Sequence, residues 1–174
     1  YCVKLPTRQL LRDGLPQFGF FADSLDDADG REDRSCDAFG QPRSALAKAM
    51  QYKQFQYFGG MSGRFIFGCA LVDLGYCNSV FAYLFDADSG ELFSRSVKRP
   101  GHLGMSLSSS PVTGVSRFQA GDLTVEQTYE ADPRCKSLSL RIGDELSLTA
   151  RMPEAGFEPM SLCTRAGYHG WVYA

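Results

Sequence analysis

Three residues have the chemistry to move protons, and two of them flank a glycine turn. Asp73 and Tyr76 follow the most apolar segment of the chain. A carboxylate in this place either caps the turn, which is ordinary Asp-x-Gly chemistry, or has a raised pKa suited to proton transfer. His169 precedes Trp171 in a second glycine-bounded turn, as a structural imidazole or as a general acid or base that titrates near neutrality. Asp73, Tyr76 and His169 are therefore the candidate catalytic residues.

Aromatic residues and one lysine could instead bind a ligand. Lys53 lies between aromatic residues, so its ammonium group could pair with Asp73 or stack on a ring by cation–π attraction. The neighbouring rings would line a cavity if the fold forms one, and would be plain core if it does not. The candidate ligand-binding residues are Lys53, Tyr57, Tyr83, Phe85 and Trp171.

Composition and motifs argue against several classes of function. The chain has only two histidines and no Cys–His cluster with zinc-ligand spacing, so we expect no metal, and His102 is expected to be solvated in a Ser/Gly-rich loop. The sequence has no P-loop, dinucleotide fingerprint or nucleophile elbow, and we expect no cofactor. A net charge of −2 argues against nucleic-acid binding, and no apolar stretch is long enough to span a membrane.

The cysteines predict a cellular compartment. A chain of 174 residues with 44% hydrophobic residues can bury enough surface to fold without disulfides. We therefore expect the six cysteines to be reduced and structural, and the protein to be cytoplasmic.

Residues 51–174 are predicted to form an antiparallel β domain. Apolar and polar residues alternate with period two in the second half, as in Leu138, Leu140 and Ile142, which indicates strands with one wet face. A turn over residues 86–90 predicts a hairpin, and Gly143–Asp144 predicts a two-residue hairpin loop.

Residues 1–50 differ in character and are predicted to be irregular, with one short helix. Helix-favouring residues at 44–50 predict that helix, and one helical turn is expected at 7–12. An acidic run over residues 23–37 is expected to be a solvated loop, since it lacks the ligand offsets of a calcium site.

Two neighbouring strands are apolar on both faces. They are predicted at residues 64–72 and 79–85. An antiparallel meander needs cover on one face only, so the second face must meet the 1–50 segment, a second sheet, a missing part of the protein or an apolar ligand. The expected fold is therefore all-β, mainly an antiparallel meander, as a calycin-like barrel or a sandwich.

Five short motifs in register resemble the bacterial family known as domain of unknown function 2804. The resemblance covers Leu15 to Ala174, and members usually carry Trp where this chain has Phe55. The motifs are Leu15-Pro16-x-x-Gly19-x-Phe21, Lys53-x-Phe55-x-Tyr57, Ala70-x-x-Asp73-x-Gly75-Tyr76, Phe81-x-Tyr83-x-Phe85-Asp86 and Gly167-x-x-Gly170-Trp171-x-Tyr173.

The resemblance implies a protein of two β-rich halves, of which this chain is expected to be the first. That build is similar to the lipocalin-like carotenoid hydratases and related cofactor-free enzymes, a likeness at the level of fold that says little about chemistry. The family has no established activity that could be inferred for this chain.

Three hypotheses follow for function. The first is a protein that binds a hydrophobic, lipid-like or isoprenoid small molecule. The second is a cofactor-free hydratase, isomerase or cyclase that protonates an alkene in a dry pocket. The third is a structural half-domain that pairs with a C-terminal half or a second chain, because open sheet edges favour association.

Overall fold

The computed structural model describes residues 4–5, 8–21, 23–36, 39–167 and 170–174. Within these ranges the chain forms fifteen strands and one short helix. His169, one of the candidate catalytic residues, lies outside the described residues. The elements are β1 (Lys4–Leu5), β2 (Leu11–Arg12), β3 (Leu15–Pro16), β4 (Gly19–Phe21), α1 (Ala45–Gln51), β5 (Gln54–Ser62), β6 (Phe65–Asp73), β7 (Cys77–Asp86), β8 (Leu92–Pro100), β9 (Met105–Ser106), β10 (Gly114–Ala120), β11 (Leu123–Ala131), β12 (Arg134–Ile142), β13 (Leu146–Pro153), β14 (Ser161–Ala166) and β15 (Gly170–Tyr173).

Two antiparallel meanders pack face to face as a sandwich. One sheet has the order β5-β6-β7-β8 and the other the order β13-β12-β11-β10-β9. Their facing sides form one core, in which Leu71, Val80, Leu123 and Ile142 are completely buried. The all-β expectation is confirmed, and the strands that the structure describes form open sheets rather than a closed barrel.

The hairpin turns follow the predicted chemistry with one correction. The turn over residues 86–90 forms, and Gly90 takes a left-handed φ of 74°. The loop predicted at Gly143–Asp144 has three residues instead of two, because Ile142 pairs with Leu146. Glu145 donates its N–H to Ile142 O, which closes this longer turn.

A third sheet joins both ends of the chain, with the order β1-β4-β14-β15. Phe21 pairs with Ser161 in this sheet, so residues before 50 share it with residues after 160. The helical turn expected at 7–12 is wrong over the residues that the structure describes. β2 pairs with β3 in a tight hairpin, whose turn places Asp13 and Gly14 in left-handed conformations.

The predicted short helix is present as α1. Ser44 is its N-cap, and the Ser44 hydroxyl accepts the Ala47 N–H at 3.2 Å. No residue of α1 is buried, so the helix lies on the surface. Among the described residues, no helix has the length and apolarity to cross a membrane.

The two apolar faces of β6 and β7 meet different surroundings. The inner face, which includes Val80 and Ala82, is buried against the second sheet. On the outer face, Phe81 of β7 is 38% exposed. The expectation that both faces are shielded therefore holds for the inner face and, on the outer face, for Gly68 and Ala70 of β6, but not for Phe81.

Candidate functional site

A groove of about 1410 Å³ lies beside the edge of the sandwich. It is bounded by α1, the first half of β5, the segment that joins β13 to β14, and β15. The space between the two sandwich sheets is filled by side chains such as Phe118 and Leu138, so the groove, and not the sandwich interior, is the place for a ligand.

Trp171 forms one wall of the groove and is fixed in place by Asp33. The indole Nε1–H donates to the Asp33 carboxylate at 3.0 Å. The ring lies against Gly30, where an added Cβ would come within 2.4 Å of Trp171 Cη2 and 3.2 Å of Tyr52 Cε2. Burial raises the pKa of the Tyr52 phenol, so this side chain stays uncharged at neutral pH.

Asp73 lines the groove and holds both a turn and a histidine. Its Oδ1 accepts the Gly75 N–H at 2.8 Å, which is the turn cap expected of an Asp-x-Gly sequence. Its Oδ2 lies 2.9 Å from Nδ1 of His102, a second groove residue. The prediction that His102 is solvated holds in that the side chain is exposed, but the bond to Asp73 also orients its ring.

Lys53 and Tyr76 are brought together at the end of β6. The ammonium group lies 4.8 Å from the centre of the Tyr76 ring, so the cation–π contact forms. Lys53 Nζ also donates to Met50 O and Leu74 O, each at 2.5 Å, which ties β5 to the end of β6. Among the described residues it forms no salt bridge with Asp73. Tyr76 therefore contacts a groove residue without lining the groove itself.

Two glutamines reach from β5 to the loop before β10. The side-chain amides of Gln54 and Gln56 both donate to Ser108 O, at 3.0 and 2.8 Å. Gln56 Oε1 is buried and has no hydrogen-bond partner among the described residues. This shared acceptor fixes the floor of the groove.

A chain of buried polar groups runs from the groove into the sandwich. Tyr129, a groove residue, donates its hydroxyl to Gln127 Oε1 at 2.9 Å, and Gln127 Nε2 donates to Cys69 O at 3.3 Å. Burial raises the pKa of Tyr129 to about 12, so the phenol remains a neutral donor at physiological pH.

One end of the groove is charged. Glu154 accepts bonds from Arg134 Nε at 2.6 Å and from Lys136 Nζ at 2.8 Å. Arg134 also donates to the Ser24 hydroxyl at 2.9 Å, which connects the N-terminal segment to this end. Burial opposes the ionisation of Glu154, but hydrogen bonds and charge from Lys136 and Arg134 outweigh it and lower the pKa of the carboxyl.

The candidate ligand-binding residues divide between two places. Lys53, Tyr57 and Trp171 line the groove. Tyr83 and Phe85 lie instead on the outer face of β7, away from the groove. The two sets are linked, because the hydroxyls of Tyr57 and Tyr83 are hydrogen-bonded at 2.9 Å. The hydrogen bond to Tyr83, aided by burial, raises the pKa of Tyr57 to about 12.

Sequence reasoning missed several groove residues. His102 meets Asp73 from a loop 29 positions away, and Tyr52 reaches the groove from the end of α1. Exposed Phe157 and Met160 lie in the segment between β13 and β14. Apolar residues in a segment without strand periodicity could have indicated an exposed apolar surface. In the part of the chain that the structure describes, no cluster of His, Cys, Asp or Glu is placed to hold a metal ion.

Comparison with known proteins identifies the family. The family model described as "Domain of unknown function (DUF2804)" matches residues 8–170, most of the chain. No curated protein and no solved structure matches. The chain belongs to the DUF2804 family.

Proposed function

We propose that this member of the DUF2804 family binds an elongated apolar small molecule, of lipid-like or isoprenoid type, in the groove. One observation carries the proposal. Among the described residues, six of the seventeen exposed large apolar side chains line this one concave surface, and hydrated apolar patches in clefts are typical of ligand sites. The exposed apolar groove residues are Phe55, Tyr57, Met152, Phe157, Met160 and Val172.

The polar groups of the groove fit a ligand with one polar end. Lys53 is bonded to Leu74 O and His102 is bonded to the neighbouring Asp73, so both lie at the end of β6. The rings of Trp171 and Tyr52 form an apolar wall. An elongated molecule would bury its chain along the rings and leave its polar head near Lys53 and His102.

Trp171 makes the proposal directly testable, because it is the only tryptophan in the chain. We expect a long-chain fatty acid or an isoprenoid alcohol to change its emission in a saturable titration. Native mass spectrometry of the same sample should show a one-to-one complex. An unchanged emission together with a ligand-free mass, at ligand concentrations up to its solubility limit, would refute the proposal.

Two methionines of matched exposure supply the control. Met160 is 80% exposed in the groove, and Met61 is 78% exposed at the end of β5, outside the groove. Met160→Ser should weaken ligand binding about fivefold, the equivalent of about 1 kcal/mol of lost apolar contact. Met61→Ser should leave the affinity unchanged. Equal effects of the two substitutions would place the ligand elsewhere.

A second candidate function is favoured by the bond between Asp73 and His102. A carboxylate that orients an imidazole is the arrangement of a general acid or base, and its position in the groove would bring it to an alkene bound there. Hydration would transfer a proton from the imidazolium to one alkene carbon and add water to the other, with the water's proton returning to His102.

Product mass distinguishes binding from catalysis. An enzyme would release an isoprenoid product heavier by one water. His102→Gln would abolish this product but only weaken ligand binding, because Lys53 and the rings of Trp171 and Tyr52 remain in the groove. Asp73→Asn keeps the Oδ1 acceptor for Gly75 and should preserve the fold. Recovery of bound isoprenoid with its mass unchanged would leave binding alone as the function.

The proposal extends to location. Cys36, Cys69, Cys77, Cys135 and Cys163 are all free thiols. Free thiols suit a reducing compartment, and on that ground we propose that the protein is cytoplasmic.

A further inference from the structure

Two glutamines occupy the face of β5 that points into the sandwich. Side chains alternate along a strand, so Gln54 and Gln56 lie on the same face as Phe58, which is buried in the core. Phe55 and Tyr57, on the opposite face, are exposed. A polar side chain on the core side of a strand needs hydrogen-bond partners, because an unpaired buried polar group costs free energy. The bonds of these two amides therefore show what the floor of the groove lacks.

Both amides use the same backbone carbonyl. The Nε2 atoms of Gln54 and Gln56 donate to Ser108 O, at 3.0 and 2.8 Å. A carbonyl oxygen has two lone pairs, so these two bonds saturate Ser108 O. They also fix the orientation of the Gln56 amide, because only its nitrogen can donate to a carbonyl. The other end of the amide, Gln56 Oε1, is therefore an acceptor.

The oxygen of the Gln56 amide is a buried acceptor without a donor. Among the described residues, nothing donates to Gln56 Oε1. Tyr129 also lines the groove, but its single O–H goes to Gln127 Oε1 at 2.9 Å. The floor of the groove therefore lacks one hydrogen-bond donor, which a bound molecule could bring.

The Gln56 amide lies within reach of a molecule in the groove. Gln56 lines the groove, and the residue as a whole is half-buried rather than buried. The last torsion of a glutamine side chain is broad, so a small rotation turns Oε1 toward a molecule on the floor. Each of the two amides also has a second N–H. A head group at this place can therefore donate one hydrogen bond and accept another.

Gln56 lies at the same end of the sheet as the groups that face the polar head. Gln54 pairs with Asp73 across β5 and β6, and Gln56 is one row of side chains further along the same face. His102 is bonded to Asp73, and Lys53 directly precedes Gln54. A head group at Gln56 therefore agrees with a polar end placed near the end of β6.

The charged groups at this end do not select an acid. Two of the three N–H groups of Lys53 donate to Met50 O and Leu74 O. The ring of Tyr76 lies against the same ammonium group, 4.8 Å from its centre. A ligand carboxylate would also meet the carboxylate of Asp73, which repels it. Hydrogen bonding, rather than charge, therefore decides which head group fits.

We infer that the ligand of the groove is a long-chain or isoprenoid alcohol whose hydroxyl donates to Gln56 Oε1. This inference rests on the proposed function and names the polar end of the molecule that the groove binds. A hydroxyl both donates and accepts, so it satisfies the amide oxygen and takes a second amide N–H. Ether and carboxylate oxygens only accept, and each would leave Gln56 Oε1 unpaired. Gln56 is thus the residue that selects the head group.

Three ligands with the same chain and different heads test the inference. Farnesol, farnesyl methyl ether and farnesoic acid are titrated against the unaltered protein at pH 8, with the emission of Trp171 as the signal. Farnesol should bind about fivefold more tightly than the ether, although the ether has the larger apolar surface. Farnesol should bind about tenfold more tightly than the acid, which is ionised at this pH.

A matched pair of substitutions assigns the preference to Gln56. Gln56→Leu removes the unpaired oxygen, whereas Gln54→Leu removes an equivalent bond to Ser108 O and keeps that oxygen. Gln56→Leu should bind farnesol and its methyl ether equally, and Gln54→Leu should retain the preference of the parent for farnesol. If Gln56→Leu lowers the melting temperature, the three ligands still decide the question on the unaltered protein.

Three results would overturn the inference. Equal binding of farnesol and its ether, or tighter binding of the acid, would show that the head is not a donor to Gln56, while the groove would stand as a ligand site. A preference for farnesol that survives Gln56→Leu would place the hydroxyl elsewhere. Absence of binding by all three ligands would refute the proposed function as well.

Discussion

Replacing Gly30 by alanine would test the packing of the groove wall. The new methyl group would lie 2.4 Å from Trp171 Cη2 and 2.9 Å from Cζ2, well inside van der Waals contact. Gly30 does not have a positive φ, so the backbone accepts alanine and the cost comes from contact. Moreover, the ring cannot simply move away, because its Nε1–H is bonded to Asp33.

The size of the effect follows from three contributions. Overpacking costs about 1–3 kcal/mol. Weakening of the bond to the Asp33 carboxylate lowers the free energy of unfolding by about 1 kcal/mol more. Alanine also reduces the conformational freedom of the unfolded chain, which raises the free energy of unfolding by about 0.4–1 kcal/mol. We expect a net loss of about 2 kcal/mol in the free energy of unfolding, equivalent to about 4–8 °C in melting temperature for a chain of this size.

Circular dichroism and tryptophan emission measure this effect together. Gly30→Ala should lower the melting temperature and shift the emission of Trp171 to longer wavelength, since the displaced ring becomes more exposed. Gly60→Ala is the control, because its methyl group would meet nothing closer than Phe67 Cζ at 3.4 Å. The control should be unchanged or more stable by about 0.5 kcal/mol. A Gly30→Ala protein with the emission and melting temperature of the parent would refute the packing argument.

Three further substitutions or measurements test other parts of the structure. Gly68→Ala places a methyl group 2.5 Å from Tyr57 Oη, so NMR titration should show the pKa of Tyr57 falling from about 12 toward its ordinary value; an unchanged pKa would contradict the flat packing of the ring. Glu154→Gln should cost about 1–2 kcal/mol at pH 7. Since the folded-state pKa of Glu154 is lowered, the parent's advantage is complete above the usual pKa of about 4.5 and disappears as the pH falls below it, and a difference that persists in unfolding curves at pH 2 would be inconsistent with the ion pair. A thiol reagent at pH 8 should modify exposed Cys36 and spare Cys69, whose pKa burial raises to about 12; modification of native Cys69 would show that this core opens.

Much of the sandwich was predictable because period-two patterns specify strand faces directly. Leu138, Leu140 and Ile142 were assigned to one face, and all three are buried against the facing sheet. Alternation along β11 puts Gln127 on the same buried face as Leu123 and Val125, but no such pattern shows its bonds to Tyr129 and to Cys69 O. Local alternation states which way a side chain points, not what it meets.

Contacts between distant segments could not be predicted. The bond from His102 to Asp73 joins a loop to a strand end 29 residues earlier, and Trp171 reaches Asp33 across 138 residues. Local propensity also failed where turn geometry decided the structure: left-handed Asp13 and Gly14 make a hairpin where a helical turn was expected. The choice between barrel and sandwich depended on how the sheets pack, which no short pattern records.

The apolar character of both faces of β6 has two separate physical causes. Its inward residues, such as Leu71, fill the sandwich core, whereas its outward residues Gly68 and Ala70 are small and buried. An added Cβ at Gly68 would lie 2.5 Å from Tyr57 Oη and 2.6 Å from Tyr83 Cε1, so the rings of these tyrosines lie flat on the backbone there. Tyr57 belongs to this aromatic layer and also lines the groove. Any molecule that displaces the Tyr57 ring from the groove side must therefore break its bond to Tyr83, which couples occupation of the groove to the outer face of the sheet.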